Sequence, residues 1–259
     1  MIGSVWEAVA VFLAGIAAGT INTVVGSGTL ITFPTLVAVG VPPVLANVSN
    51  SVGLVPGSVS GAWGYRRELE GQRGRLVRLG LASLVGGTIG AVLLLVLPSA
   101  AFDAIVPVLI ALGVVLVIFG PRISRAVSAR AARRGGLPDH GAAWVWPSVA
   151  GAGVYGGYFG AAQGVLLMAI LGIGVDDTMQ RHNATKNVLA AIVNAVAAVV
   201  FILVSHVAWA AAGLIALGSI LGGQIGAHWG RRLSPLWLRV LIVVIGLVAL
   251  VQFALRLAG

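Results

Sequence analysis

The chain has 259 residues, 59% of them hydrophobic and 9% charged, with a mean hydropathy of +1.04. A chain this apolar lacks the polar surface to cover a water-soluble domain of its size, so it reads as an all-α polytopic membrane protein. The net charge of +9 would suggest nucleic acid in a soluble protein, but the arginines crowd short stretches between apolar segments, where orientation against a bilayer explains them and nucleic acid is excluded as a partner. With no cysteine, disulfides, thiolate metal sites and thiol redox chemistry are excluded too.

Five apolar segments open the chain, at roughly 5–25, 29–41, 45–63, 79–97 and 101–120. Five more lie at roughly 142–160, 165–175, 183–204, 208–230 and 236–256. The first is expected to be a retained membrane helix rather than a cleaved signal, because Gly15 and the segment after it belong to a repeat. The second of each set is short against the ~20 residues a spanning helix needs. Each short segment comes after a break, Gly26-Ser27-Gly28 in one set and Ala162-Gln163-Gly164 in the other.

The two sets are one sequence written twice at a constant offset of 136 residues. Gly15 recurs as Gly151, Gly28 as Gly164, Leu30 as Leu166 and Asn47 as Asn183, and Leu81–Ala91 returns as Leu217–Ala227 with seven of eleven positions identical. The chain is therefore expected to be a single membrane domain with a first repeat over 5–120, a basic cytoplasmic linker over 121–141 and a second repeat over 142–256. Duplication with interrupted short helices at matching positions is the sequence pattern of a transporter whose site lies between its repeats.

Arginine placement predicts the hand of that duplication. The stretch holding Arg66, Arg67, Arg73, Arg75 and Arg78 and the linker holding Arg122, Arg125, Arg130, Arg133 and Arg134 are expected in the cytoplasm. In the second repeat the equivalent of the first basic stretch is the nearly uncharged Ser205-His206-Val207-Ala208, while the Pro98-Ser99 turn becomes Arg231-Arg232-Leu233-Ser234. Exchanged basic loops favour inverted repeats of five helical segments each, with both termini outside; the alternative is four plus four parallel spans with re-entrant short segments. The runs Gly86-Gly87-x-x-Gly90-Ala91 and Gly222-Gly223-x-x-Gly226-Ala227 read as packing seams.

Polar chemistry concentrates on the third segment of each copy. At ~100° per residue, Asn47, Ser51, Leu54 and Ser58 share one stripe with Asn50 beside it. Asn183, Asn187, Ala190 and Asn194 repeat that stripe with Lys186 beside it, while Ser49 and Thr185 lie opposite. A duplicated polar stripe in hydrocarbon implies either interhelical bonding or a wet interior surface. Lys186, the only lysine, either snorkels to the interface or faces an anionic ligand. The breaks are expected to leave backbone N–H groups free at the starts of the short helices, making a cradle for an anion. On this reading Ser27, Gly28, Gln163 and Gly164 present donors, Asn47, Asn50, Ser51, Asn183 and Asn187 bond oxygens, and Lys186 supplies charge. Lys186→Met is expected to abolish saturable uptake without lowering expression.

The other ionisable groups carry less. Asp176 and Asp177 read as a solvated loop or a helix cap, Glu7 and Asp103 as interfacial, and His206 and His228 have no partner at metal-ligand spacing. The seven tryptophans fall near segment ends, as interfacial belts require. No HExxH, paired intramembrane carboxylates, GxSxG or P-loop is present, so no enzyme, metal or cofactor is expected.

The stretches AGTINTVVGSGTLITFPTLVAVGVPPVLANVSNS and GVYGGYFGAAQGVLLMAILGIG...HNATKN resemble the two hallmark segments of the sulfite exporter TauE/SafE family of membrane transporters. The resemblance covers both halves and includes the break, the region of Pro34 and Gly40, and Ala46-Asn47; the second break is poorer in glycine than the family pattern. It implies a multi-pass protein of the bacterial inner membrane, possible as a homo-oligomer, that moves a small sulfur-containing anion such as sulfite or an organosulfonate. A passive anion channel and a non-transporting membrane enzyme or assembly subunit are the alternatives.

Overall fold

The computed structural model describes residues 3–131, 141–230 and 235–258. Within them the chain forms ten α-helices and one 3-10 turn, Arg66–Leu69. The first five helices are α1 (Val5–Val24), α2 (Thr29–Ala38), α3 (Pro43–Gly64), α4 (Arg73–Val96) and α5 (Ser99–Ala131). The second five are α6 (Val145–Tyr158), α7 (Gln163–Gly174), α8 (Met179–Val204), α9 (Trp209–Trp229) and α10 (Pro235–Ala258). Pro43 and Met179, Arg73 and Trp209, and Ser99 and Pro235 are pairs of helix starts separated by the sequence offset of 136, so the duplication extends to the helix boundaries.

Several helices start or end beyond the apolar segments. α4 begins at Arg73 rather than residue 79, α8 at Met179 rather than 183, and α5 continues into the expected linker as far as Ala131. Hydropathy marks where hydrocarbon ends, whereas the backbone hydrogen-bond ladder continues into the polar boundary. Arg73, Arg75, Arg78 and Arg181 therefore ride on helical turns. Residues 132–140 and Arg231-Arg232 lie outside the described residues. Among the described residues, five helices are long and apolar enough to cross a membrane: α1, α4, the apolar part of α5, α8 and α9. α3 has 22 residues, enough for about 33 Å at 1.5 Å per residue, but its polar stripe lowers its hydropathy.

Helix pairing obeys the duplication. α1 packs on α9 and α6 on α4; α3 packs on α9 and α8 on α4; α5 packs on α7 and α10 on α2; α3 meets α8, and α5 meets α10. Each contact maps onto another, or onto itself, when the copies are exchanged. The glycine runs make this possible. Gly86 and Gly90 lie against Ala150, Gly153 and Val154 of α6, while Gly222 and Gly226 lie against Ile16, Thr20 and Thr23 of α1. A Cβ at any of these four would run into the facing backbone or side chain, so close backbone approach replaces side-chain interdigitation. The opposite face of α4, with Leu81, Leu84, Val85, Ile89, Val92 and Val96, is exposed and apolar, as lipid contact requires.

Candidate functional site

The site begins with two backbone breaks. α1 stops at Val24 and α6 at Tyr158, and each chain turns before its short helix begins. Gly26 and Ala162, at equivalent positions, both take left-handed backbone, with φ of 91° and 63°. Glycine adopts this freely, whereas Ala162 is the only described non-glycine residue at positive φ and bears a strain of ~1 kcal/mol. The breaks touch: the Gly164 N–H donates to the Gly26 carbonyl at 2.9 Å, and a Cβ on either glycine would clash with the other's backbone.

This contact corrects one expectation. The amides at the start of α7 are not free, because the Gly164 N–H is taken by Gly26 and the Gln163 N–H by the Gly160 carbonyl at 3.3 Å. Side chains supply donors without a protein partner. Ser27 Oγ and Gln163 Nε2 are both buried without a hydrogen-bond partner, and the two residues are equivalents at the 136-residue offset. Asn47 Oδ1 and Asn183 Oδ1, also equivalents, are likewise buried and unpartnered. Buried polar atoms normally find partners, so two equivalent pairs of orphans beside one backbone contact mark this region as a candidate site, although Ser83 Oγ, Asp103 Oδ1, the Tyr158 hydroxyl and both His182 ring nitrogens are also buried and unpartnered.

The polar stripe closes around the breaks. Asn183 and Asn187 donate their amides to the Thr23 carbonyl at 3.2 and 3.3 Å. Lys186 Nζ donates to the Asn22 and Thr23 carbonyls, each at 3.0 Å, and the residue is fully buried, so it does not snorkel. An ammonium on the last carbonyls of α1 sits at the negative end of the helix dipole. In the first copy Asn47 donates to the Tyr158 carbonyl at the end of α6, at 2.9 Å. Asn50, the equivalent of Lys186, turns to α2 instead, donating to Thr29 Oγ1 at 3.3 Å and accepting from the Thr32 hydroxyl. The Ser51 hydroxyl bonds the Asn47 carbonyl of its own helix. Gly28, the N-cap of α2, lies against α1 at Ala18.

Further along the stripe, Asn22 and Asn194 both donate to Ser58 Oγ, at 3.3 and 3.0 Å, so the equivalents Ser58 and Asn194 meet where α3 crosses α8. The opposite side is structural. The Thr185 hydroxyl donates to Gln72 Oε1 at 2.8 Å, and the Ala208 N–H donates to Ser49 Oγ at 2.9 Å. Gln72 and Ala208 are the equivalent N-caps of α4 and α9, so each copy uses this position to fasten the fourth helix of the other copy. Asn22, Thr23 and Tyr158 were not singled out from sequence, because all three accept through carbonyls that no side-chain pattern reveals.

A cavity of about 300 Å³ reaches this region from the end of the molecule that carries Tyr65 and the start of α8. It runs past Met168, Ala169 and Gln180 to Val25 and Val165, the neighbours of Gly26 and Gly164, and Asn183 forms part of its wall. Arg239 of α10 is its charged lining residue. Nearby, Asp177 bonds Arg75 at 2.6 Å and Arg181 at 2.8 Å, tying the α7–α8 connection to α4. Burial works to raise the Asp177 pKa, but the hydrogen bonds from Arg75, Arg181 and the Thr178 amide outweigh it and hold the carboxyl below its ordinary range.

The profile of the family described as Sulfite exporter TauE/SafE matches residues 11–253. The chain belongs to the TauE/SafE family. It is 25% identical over 244 residues to the probable membrane transporter protein ORF9 of a Sinorhizobium species, an alignment spanning 91% of this chain and 88% of that one. It is 25% identical over 240 residues to the probable membrane transporter protein YfcA of Escherichia coli K12, spanning 92% and 86%. A probable membrane transporter protein of Haemophilus influenzae is 24% identical over 233 residues, spanning 90% and 89%. No solved structure matches. As a TauE/SafE protein this chain is a multi-pass inner-membrane transporter and not an enzyme, and it acts on a small substrate from within the bilayer.

Proposed function

We propose that the chain is a secondary transporter of a small sulfur-containing anion, sulfite or an organosulfonate, working by alternating access with its site where the two breaks meet. The observation that carries this reading is the paired, buried and unpartnered donors Ser27 Oγ and Gln163 Nε2 beside the Gly26–Gly164 contact. An oxyanion accepts several hydrogen bonds at once, and the third N–H of Lys186, whose other two are on carbonyls, adds charge in a medium where charge acts strongly. Gly28, Asn50, Ser51 and Asn187 shape the surround, and Asn47 and Asn183 hold the ends of α6 and α1 against it. The cavity is the access path from one side.

Alternating access is easiest to build from inverted copies, and the contact register supports inversion. α1 and α9 run in parallel, since Gly15 meets Ile215 and Gly218 while Thr23 meets Gly226. α3 also runs parallel to α9, with Gly53 at Ala212 and Ile215, Gly57 at Ser219 and Gly64 at Ala227. The connection from α3 to α4 is only Tyr65–Gln72 and half of it is the 3-10 turn Arg66–Leu69, which makes it too short to return across a bilayer, so α4 runs opposite to α3. α4 and its equivalent α9 then run in opposite senses. With the arginines of 65–78 in the cytoplasm, the cavity opens inward.

Thermal unfolding of the purified protein against sulfite, sulfate, thiosulfate, sulfoacetate and taurine tests the substrate class. A ligand at a hundred times its Kd stabilises by about 2.7 kcal/mol, so sulfite or sulfoacetate should raise the midpoint by several degrees. A parent protein that responds to none of the five would overturn the assignment.

A further inference from the structure

The two copies treat the ends of their first helices differently. The end of α1 receives four side-chain bonds: two from Lys186, one from Asn183 and one from Asn187. The equivalent carbonyls at the end of α6 belong to Tyr158 and Phe159, and among the described residues the stripe of α3 sends them one bond, from Asn47. The other two equivalents look elsewhere, Asn50 to Thr29 and Thr32 of α2 and Ser51 to its own helix. Thus a fixed ammonium satisfies the negative end of α1, and among the described residues no protein cation satisfies the negative end of α6. Independently, Asn47 Oδ1 is buried without a donor, on a residue that is 0% exposed and whose amide nitrogen already bonds the Tyr158 carbonyl.

We infer that the end of α6 is a binding site for a sodium-sized monovalent cation, held by the Tyr158 and Phe159 carbonyls and Asn47 Oδ1, in the place that Lys186 occupies at the end of α1. Carbonyl and amide oxygens are the hard, neutral donors that such a cation takes, and helix C-terminal ends are where membrane transporters place coupling ions. The absence of a carboxylate in this donor set argues against a divalent ion, which draws on carboxylates. The positional counterpart is itself a single positive charge. The site lies one break away from Ser27 and Gln163, so a bound cation would face an anion across the centre of the molecule and offset one of its negative charges. This role rests on the transporter reading; the cation site itself does not.

The test is the thermal midpoint of the purified protein without any sulfur anion, in sodium chloride against choline chloride at equal ionic strength. Saturating sodium should raise the midpoint by about 5 °C, and choline should not. Asn50→Lys places a tethered ammonium at the matching position and should abolish the sodium response. Asn47→Asp should shift its half-saturation to roughly tenfold lower sodium, since a carboxylate replaces a neutral ligand. If Asn50→Lys does not fold, the parent comparison and Asn47→Asp decide. Equal midpoints for the parent in the two salts, or a sodium response that survives Asn50→Lys, overturns the site. A parent that ignores sodium yet is stabilised by sulfite or sulfoacetate loses the cation site alone, while one that responds to sodium and to no anion loses the substrate assignment alone.

Discussion

Replacing Lys186 by methionine removes two charge-assisted hydrogen bonds of 3.0 Å from a fully buried position while keeping most of the side-chain volume. Bonds of this kind contribute about 1.5–3 kcal/mol each. The net loss is smaller than their sum, because methionine carries no charge that must be desolvated and the Thr23 carbonyl keeps its bonds from Asn183 and Asn187. The Asn22 carbonyl loses its ammonium donor at the end of α1, and the expected cost is about 2–3 kcal/mol. At about 2–4 °C per kcal/mol for a chain of this size, the midpoint should fall by roughly 5–10 °C, read by tryptophan fluorescence on purified protein in detergent. The sequence alone treats Lys186 as a ligand residue whose loss spares expression. The structure revises that, because the lysine also fastens the first break, and Lys186→Met should lose both stability and uptake. An unchanged or higher midpoint for Lys186→Met would refute the role of the ammonium as the cap of α1.

Ser27→Ala should separate binding from stability. Its hydroxyl has no protein partner, so removing it leaves the unfolding midpoint unchanged or slightly higher, while anion affinity drops about tenfold for one lost hydrogen bond of ~1.4 kcal/mol; a lowered midpoint with intact affinity would contradict the assignment. Gly164→Ala drives a Cβ into the Gly26 backbone and should cost about 2 kcal/mol or more, whereas Gly213→Ala, with no neighbouring atom within 4 Å, should be neutral or stabilising. Equal midpoints for those two variants would mean that the breaks are not in contact. Asp177→Asn breaks the bonds to Arg75 and Arg181 and should destabilise by about 2–3 kcal/mol, with the parent converging on the variant in acid. The sign comes from the lowered pKa: the carboxylate's contribution is full above its unfolded pKa near 4 and disappears as pH falls through the lower folded value. A parent–variant gap that persists to the lowest pH at which the protein remains folded would show that charge is not its source.

The duplication was legible because residues that make helix seams and breaks are chemically restricted. Glycines at Gly86, Gly90, Gly222 and Gly226 are needed where backbones touch, and they keep the register to which the helix starts conform. The stripe on α3 and α8 was legible because polar residues in hydrocarbon must face inward. Partner choice was not legible. Lys186 and Asn50 share a position in the pattern, yet one reaches across to α1 and the other to α2, and only tertiary packing sets that. Nor could sequence show that the Gly164 N–H is taken, since its acceptor is a carbonyl 138 residues away in the chain. The start of α4 at Arg73 was hidden because charge ends a hydropathy segment without ending a helix.

The most direct test of the central claim is uptake of radiolabelled sulfite and sulfoacetate into proteoliposomes containing the parent or Gln163→Ala. A carrier with its site at the joined breaks predicts saturable turnover for the parent and an apparent KM raised about tenfold or more in Gln163→Ala, whose unpartnered amide nitrogen is removed. Non-saturating flux through the parent, or a Gln163→Ala variant with the parent's KM and rate, would contradict it.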